Sequence, residues 1–392
     1  MTRVGSWLTL AAAIGLTATA AFGQEKPAEK SKTLLEEIVL FSYIENSAVF
    51  NLSGNGRGNH NELRLYDFDG GYTFNVAEFS AKKDPSERYP FGFGVVLTAG
   101  QDAQKNHALG IFRDNDDAFP FRNTFPGDLQ EAYGSYKVPL GSGLTVKAGK
   151  FVTLLGYEVI ESPNNLNFSR SFLFGFAIPL THVGALLSYS PTDWLTVTAG
   201  PVVGWDVAKD NNSSMSVTGQ FALTPFKDFT VNFTWITGPE QASNTTHPRT
   251  VLDWTATYTG FKSVTLGANL DYAWEVKEPA LVETRADADA TWWGIAGYGA
   301  YDWTEQLRTA LRLEYFADPE SVRTAARAAG SRTSLWEVTG TLQYKIWKGL
   351  VGRLEYRHDQ ANEKAFKFEE HGLTPTRKSQ DTISVALYYS FF

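Results

Sequence analysis

The chain of 392 residues contains no cysteine and only two methionines. Without cysteine it can form neither disulfide bonds nor thiolate metal sites. Its formal net charge of −8 argues against nucleic acid as a partner, because the phosphates would call for a basic surface. The composition therefore predicts no nucleic-acid binding and a fold stabilised by its own packing.

Long hydrophobic runs are also missing beyond the N-terminus. The mean hydropathy is −0.24, and after residue 23 no stretch approaches the ~20 apolar residues that a membrane helix requires. This excludes a helical membrane protein. A membrane β-barrel stays open, because its strands need only alternate apolar and polar residues.

The N-terminal residues have the layout of an export signal. A basic start at Arg3 precedes an apolar run over residues 7–21, and small residues follow where signal peptidase would cut. We expect cleavage after Gly23, with Ala21 at the minus-three position, although cleavage after Ala20 is also compatible. The apolar run is short for a membrane anchor.

Most of the chain alternates between apolar and polar residues with the period of a β-strand. The stretch VTLGANLDYAW (264–274) places Leu266 and Leu270 on one face and Asn269 and Asp271 on the other. The same pattern occurs in residues 229–235, 307–315 and 335–345. The two faces of these strands must meet different surroundings.

We expect about 16 strands, and the joints between them alternate short and long. The short joints, with Gly, Pro and Asp typical of turns, are 82–90, 139–143, 190–193, 225–228, 259–262, 302–305 and 347–349. The long joints are about 51–70, 102–127, 153–178, 207–213, 239–248, 277–288, 318–333 and 359–379. Strict alternation places all long loops on one side, as in an antiparallel transmembrane barrel with short periplasmic turns and long extracellular loops.

Aromatic residues cluster beside the short joints, among them Tyr189, Trp194, Trp303 and Trp347. Amphipathic rings prefer the membrane interface, so this clustering favours an outer-membrane barrel. A soluble periplasmic β-protein is the alternative, because a sandwich alternates as well. The carboxyl-terminal aromatic residue, Phe392, is a frequent mark of exported outer-membrane barrels.

No linker rich in Pro or Ser interrupts the chain after the charged segment 24–32, which argues for a single folded domain. We therefore expect three parts. They are a signal peptide over 1–23, a short periplasmic N-terminal segment over 24–37 and an outer-membrane β-barrel over 38–392.

The third long joint, residues 153–178, keeps neither a strand period nor a helix period and is the most apolar of the long joints. A barrel of about 16 strands leaves an aqueous lumen too wide for side chains to fill. A loop in bulk water has little use for so many leucines and phenylalanines, so we expect this joint to fold into the lumen. Glu158, Glu161 and Arg170 would then form the pore constriction.

Charged residues at inward strand positions are the candidate groups of the lumen wall. They are Glu131, Lys147, Lys150, Arg308, Arg312, Glu314, Lys345, Arg353, Glu355 and Arg357. Selectivity follows from pore radius and lining charge, and the mixture of signs predicts a weakly selective filter. For any single wall charge, a solvated residue without measurable effect is the alternative.

Several stretches of the chain resemble a known family. The run 149–184, followed by 204–212, is similar to the OmpL-like β-barrel porins of Gram-negative bacteria, and the likeness includes 43–51 and 130–136. The resemblance implies an outer-membrane channel, surrounded by lipid, for passive diffusion of small hydrophilic solutes or ions. It implies no catalytic residues. Because porins are often trimers, a homotrimer is one of the open assemblies.

Motifs for catalysis or for cofactor binding are weak. The histidines lack HxxxH or HExxH spacing, residues 53–59 lack the GK[ST] of a phosphate loop, and DNDD (114–117) lacks the ligand spacing of an EF-hand. His182 lies near Ser169 and Ser171 in the sequence, but there is no GxSxG elbow. We expect no enzyme, no metal and no other cofactor.

Two functions from different classes fit the sequence. The first is a porin that conducts small solutes through a wet lumen. The second is a non-conducting outer-membrane barrel whose lumen is plugged and whose long loops act as an adhesin or receptor.

Overall fold

The computed structural model describes residues 33–53, 61–66, 71–112, 125–282, 289–326, 329–366 and 375–391. The expected signal peptide, the charged segment 24–32 and the DNDD stretch lie outside these residues.

The described residues form sixteen strands. In chain order they are β1 (Val39–Asn51), β2 (Gly71–Lys83), β3 (Phe91–Ala99), β4 (Gly127–Val138), β5 (Leu144–Val152), β6 (Thr181–Thr192), β7 (Leu195–Val202), β8 (Ser216–Phe226), β9 (Phe229–Pro239), β10 (Pro248–Tyr258), β11 (Val264–Glu275), β12 (Ala290–Asp302), β13 (Leu307–Asp318), β14 (Thr333–Trp347), β15 (Leu350–Ala361) and β16 (Ser379–Ser390). Each strand pairs antiparallel with its sequence neighbours, and β16 pairs with β1 to close the barrel. The predicted closed antiparallel barrel of about 16 strands is confirmed.

Helical turns are few and short. The described residues contain 3-10 turns at Leu35–Glu37, Ala103–Lys105 and Ser162–Asn164, a π-helical turn at Leu173–Ala177 and an α-helical turn at Pro279–Val282. No helix in this part of the chain is long and apolar enough to cross a membrane.

The connections alternate between short turns and long loops at nearly the predicted positions. The turn between β14 and β15 consists of residues 348–349, and Gly349 has a φ of +79°. A Cβ at this glycine would lie 2.4 Å from the backbone oxygen of Ser390, so both the backbone conformation and the available space require glycine here.

The two faces of the sheet have the opposite polarity to those of a soluble protein. On β13, Leu311 and Leu313 are 46% and 50% exposed, whereas Arg312 and Glu314 are 0% and 5% exposed. Soluble proteins almost never bury charged side chains so completely unless they are paired. The apolar face of the barrel therefore points outward, as expected for contact with lipid.

The main buried apolar cluster draws on both the strands and the long connection between β5 and β6. Trp292 and Phe316 come from the long-loop ends of their strands, and Phe172, Leu173 and Phe174 come from the connection. Each of these five residues is at most 4% exposed. The aromatic half of this connection therefore packs as a core and is not solvated.

Candidate pore constriction

The connection between β5 and β6, residues 153–180, is called the third loop below. Its side chains and backbone hydrogen-bond to many strands of the barrel. Three groups of the loop donate to strands: Ser162 Oγ to Glu45 Oε1 on β1 (2.7 Å), Tyr157 N to Asn269 Oδ1 on β11 (3.1 Å) and Asn167 Nδ2 to Thr341 Oγ1 on β14 (2.7 Å). Two strand side chains donate to carbonyl groups of the loop: Gln220 Nε2 on β8 to Leu154 O and Trp292 Nε1 on β12 to Ala177 O, each at 3.1 Å.

Two glutamates of the barrel bind consecutive backbone N–H groups of the third loop. The carboxylate of Glu314 accepts bonds from Phe172 and Leu173 at 2.7 and 2.6 Å. Glu355 accepts bonds from the N–H groups of residues 168–169 at 2.7 and 3.0 Å. An irregular backbone lacks the partners that a sheet would supply, and a buried unsatisfied group costs about 1–3 kcal/mol. These carboxylates therefore supply the hydrogen-bond acceptors that a neighbouring strand would supply in a regular sheet.

Three arginines do the same for the carbonyl groups of the loop. Arg312 donates to Ser169 O at 2.6 Å, and Arg357 donates to Arg170 O at 2.5 Å. Arg353 donates to two further loop carbonyls, at 2.8 and 3.0 Å. Charge-assisted hydrogen bonds are about twice as strong as neutral ones. Five of the ten predicted wall charges thus hold the third loop in place.

Glu158, a predicted constriction residue, links the third loop to β13. Its Oε1 accepts a bond from Arg312 at 2.6 Å, and its Oε2 accepts a bond from the N–H of Ser171 at 2.7 Å. Arg312 also contacts Glu337 at 2.5 Å. The structure therefore places Glu158 within a buried ion-pair network between the third loop and β13.

Arg170, the second predicted constriction residue, binds the backbone of its own loop. Its guanidinium group donates to the carbonyl oxygens of Val159 (3.0 Å), Ile160 (2.6 Å) and Phe168 (2.7 Å). One face of the guanidinium group lies 5.2 Å from the ring centroid of Tyr66. This side chain closes the loop on itself and is 6% exposed.

Glu161, the third predicted constriction residue, is only half-buried and faces the other side of the barrel. Its carboxylate accepts a bond from Gln130 Nε2 on β4 at 2.7 Å. It lies close enough to Glu78, Lys82 and Glu131 to interact with them electrostatically. Of the three residues, Glu161 is the least buried.

Two of the remaining wall candidates, Lys147 and Lys150, lie on β5. Lys147 pairs with Ser135, which lies on the face of Glu131, and its ammonium group is 4.5 Å from the ring centroid of Tyr133. Lys150, three residues further on, is 4% exposed and pairs with Asp128 on β4 at 3.5 Å. Its Nζ donates to the backbone oxygen of Leu129 at 2.6 Å.

The last two wall candidates lie near the short-turn end of the barrel. Arg308 forms a two-pronged pair with Asp302 at 2.7 and 2.9 Å. Lys345 is exposed near the end of β14.

The sequence analysis missed the charged and amide groups of β1, β2 and β4 that face Glu161. They are Glu45, Glu78, Lys82 and Gln130. Glu45 alternates with Tyr43 and Ser47, and Glu78 alternates with Ser80 and Lys82, so strand periodicity could have found them. Of these three strands, only β4 entered the choice of wall residues, through Glu131.

Asp206, in the connection between β7 and β8, anchors the end of the third loop. Its Oδ1 accepts bonds from the N–H groups of Leu180 and Thr181, each at 2.8 Å. Burial raises the pKa of the Asp206 carboxyl, although these two N–H groups act in the opposite direction.

Tyr157 of the third loop is also largely buried. Its ring stacks on that of Tyr298 with 4.3 Å between the centroids, and desolvation raises the pKa of Tyr157 to about 12. The ring is therefore neutral at physiological pH.

The candidate catalytic groups do not meet. His182 contacts Gly204 O at 2.8 Å and Thr153 Oγ1 at 3.1 Å, and it forms no hydrogen bond with Ser169 or Ser171. Within the described ranges, no three His, Asp or Glu side chains come together as a metal site.

A closed barrel of sixteen antiparallel strands, apolar outside and polar inside, with long loops at one end, defines the class of outer-membrane β-barrels of the porin type. The chain belongs to the family "Putative beta-barrel porin-2, OmpL-like", which matches residues 43–391. This confirms the resemblance and the outer-membrane location predicted from the sequence. A comparison with curated proteins finds no match.

Solved porin structures share the fold. The chain is similar to OmpF of Salmonella typhi, solved in complex with daunomycin (TM-score 0.60, 12% identity, covering 90% of this chain and 97% of that one). It is also similar to the outer membrane channel DcaP of Acinetobacter baumannii (TM-score 0.59, 10% identity, 90% and 97%). The trimer form of OmpT of Vibrio cholerae matches as well (TM-score 0.52, 11% identity, 90% and 99%). At these identities the likeness shows the fold alone.

Proposed function

We propose that this chain is a porin that lets small hydrophilic solutes or ions diffuse passively across the outer membrane. The observation that carries the proposal is a closed barrel of sixteen strands whose inner face is polar and charged. A barrel of this size encloses an aqueous channel wider than its side chains can fill. The solute gradient drives transport, and the protein acts without catalysis or a cofactor.

We infer that the third loop lies inside the lumen and narrows it. Its hydrogen-bond partners come from β1, β4, β8 and β11 to β15, which lie on different sides of the closed sheet. A segment on the outside of the barrel could not reach all of them. The partners on β13 and β15 are the buried charges of the polar face.

The three predicted constriction residues divide into two roles in this proposal. Glu161 faces passing solutes, because its carboxylate is half-buried and turned toward β4. Glu158 and Arg170 are positioning residues that hold the loop in its shape. Lys147 and Glu131 line the wall opposite Glu161, and Lys150 pairs with Asp128 on β4.

The assembly and the processing of the chain also belong to this proposal. A homotrimer is supported by the solved trimer form of the OmpT structure, which shares the fold. Residues 1–23 would be removed as a signal peptide, and residues 24–37 would lie in the periplasm. Glu37 pairs with Lys83 at 3.1 Å beside a short turn, which supports a periplasmic position for this segment.

Liposome swelling tests the proposal. Vesicles that contain the refolded mature chain should admit small neutral sugars at rates that fall with sugar size, because the loop sets a radius. Heat-modifiable, correctly folded barrels that admit none of these sugars would contradict it. That result would favour the non-conducting barrel with an adhesin or receptor role.

A further inference from the structure

We propose that this pore favours neutral polyhydroxylated solutes, such as small sugars, which bind to hydroxyl and amide side chains on the inner wall. These side chains, called the neutral strip below, are Ser188, Ser190, Thr196, Gln220, Thr230 and Asn232. The inference rests on the proposed porin function and names the class of solute that the pore binds.

The neutral strip lies on four adjacent strands that carry no carboxylate, ammonium or guanidinium group. The structure describes every residue of β6 to β9, and these strands contain no Asp, Glu, Lys or Arg. Their one histidine, His182, is 1% exposed. At the short-turn ends of these strands the first charged residues are Asp193, Lys227 and Asp228, which are exposed. This part of the wall therefore offers no charge to an ion.

Strand register places the side chains of the neutral strip on the inner face. Phe221 is 39% exposed on the apolar outer face, so its neighbours Gln220 and Ala222 point inward. Ala222 pairs with Thr196 on β7 and with Asn232 on β9. Thr196 and Asn232 therefore lie at one level, two strands or roughly 10 Å apart. The small side chain of Ala222 leaves space between them for a solute.

The neutral strip retains unused capacity for hydrogen bonds. Ser190 bonds to Thr196 at 2.9 Å, but each hydroxyl group has one donor and two acceptor positions. Gln220 and Asn232 donate through Nε2 and Nδ2, and their amide oxygens accept no hydrogen bond from a described residue. All six side chains are partly exposed, so water reaches them. Groups that both donate and accept match the hydroxyl groups of a sugar.

The neutral strip lies on the short-turn side of the third loop. Nearer to the long loops, the same strands contribute Leu186, Val202 and Ile236 to the main buried apolar cluster, which includes the aromatic half of the third loop. Gln220 donates to Leu154 O at the beginning of the third loop. A solute that enters from the long-loop end therefore passes the third loop before it meets the neutral strip.

An aromatic ring of the third loop borders the neutral strip. Tyr157 lies over Gly267, where a Cβ would collide with the ring, and it interacts with Thr257 on β10. Thr257 pairs with Thr230 of the neutral strip. The Tyr157 ring stacks on Tyr298 and is partly exposed. Aromatic surface beside a few polar groups is the usual composition of a site for small molecules.

Two charged groups lie at the edges of the neutral strip. Lys147 on β5 pairs with Leu186, and Asp253 on β10 pairs with Thr234. Asp253 is 0% exposed and accepts a bond from Asn269 at 2.7 Å. Among the described residues, neither charged group bonds to a member of the neutral strip. Recognition along this wall therefore depends on hydrogen bonds and pore radius.

The test is the KCl current through the refolded mature chain in a planar bilayer, titrated with maltose or with polyethylene glycol of equal hydrodynamic size. Maltose should block the current saturably. Polyethylene glycol, which has far fewer hydroxyl groups, should lower the current only as it lowers the conductivity of the solution. In Thr196→Val/Asn232→Leu the half-blocking concentration of maltose should rise by about fivefold or more, because two hydrogen-bonding groups are lost.

The matched control is Thr259→Val/Gln306→Leu, which makes the same changes in exposed short turns and should leave the half-blocking concentration unchanged. Thr196→Val alone, which is close to isosteric, should raise it by a smaller factor and covers the case in which the double variant does not fold.

The outcomes separate the two levels of the proposal. If maltose lowers the current of the unmodified protein no more than polyethylene glycol does, the preference for polyhydroxylated solutes is wrong and the porin function stands. Equal half-blocking concentrations in the unmodified protein and in folded variants of the neutral strip would overturn the role of these side chains. Folded barrels without conductance would contradict the porin function and this inference with it.

Discussion

Arg312 on β13 and Glu158 on the third loop form an ion pair of 2.6 Å, with side chains that are 0% and 3% exposed. Removing one member of a buried pair costs about 3–5 kcal/mol, because the other charge is left uncompensated. We predict that Arg312→Met strongly lowers the temperature at which the folded barrel unfolds. This temperature is measured by heating samples to increasing temperatures and recording where the band of the folded barrel is lost from the gel.

The double variant Glu158→Gln/Arg312→Met isolates the pair. It should regain part of the lost stability, because one of the carboxylates that Arg312→Met leaves without an ion-pair partner has become neutral. Equal unfolding temperatures of the double variant and of Arg312→Met would contradict an energetic role for this pair.

The carboxylates of Glu314 and Glu355 should control pore width through the backbone of the loop. In Glu314→Ala/Glu355→Ala, four N–H groups of the loop lose their acceptors, so the loop should detach from β13 and β15. We predict a conductance that rises by roughly twofold and a larger size limit for neutral sugars. Glu305→Ala, on an exposed turn, is the control and should match the unmodified protein. A double variant that folds and conducts like this control would rule out loop anchoring.

Gly349 should be intolerant of substitution. Gly349→Ala forces a Cβ to within 2.4 Å of Ser390 O at a φ of +79°, so we predict a destabilisation of more than about 1 kcal/mol. Gly297→Ala on β12 is the matched control, because a Cβ there meets no atom within 4 Å. Equal unfolding midpoints in urea for the two variants would refute the steric argument.

Asp206 should make the stability of the barrel depend on pH. Because burial raises its pKa, its stabilising contribution is complete below its ordinary value of 3.8 and is lost as the pH rises through the raised pKa. Asp206→Asn keeps an acceptor for Leu180 and Thr181 but carries no charge. We predict that the unfolding temperature of Asp206→Asn relative to the unmodified protein increases from pH 4 to pH 7. A difference that stays constant over this range would contradict the assignment.

The strands and their connections could be predicted because strand periodicity and turn chemistry are local. Leu311 and Arg312 alternate in the sequence and point to opposite faces in the barrel.

The role of each charge in the constriction could not be predicted in this way. Glu158 and Arg312 are 154 positions apart in the chain, and nothing local pairs them. Arg170 looked like a free charge, yet it binds three carbonyl groups that only the irregular path of the loop brings together. Such contacts depend on the closed barrel as a whole.

Single-channel conductance of the refolded mature chain in a planar bilayer tests the central claim most directly. An open pore narrowed by the third loop predicts discrete, long-lived current steps, which become larger in Glu314→Ala/Glu355→Ala. The absence of current steps from correctly folded, heat-modifiable barrels of both proteins would contradict the claim.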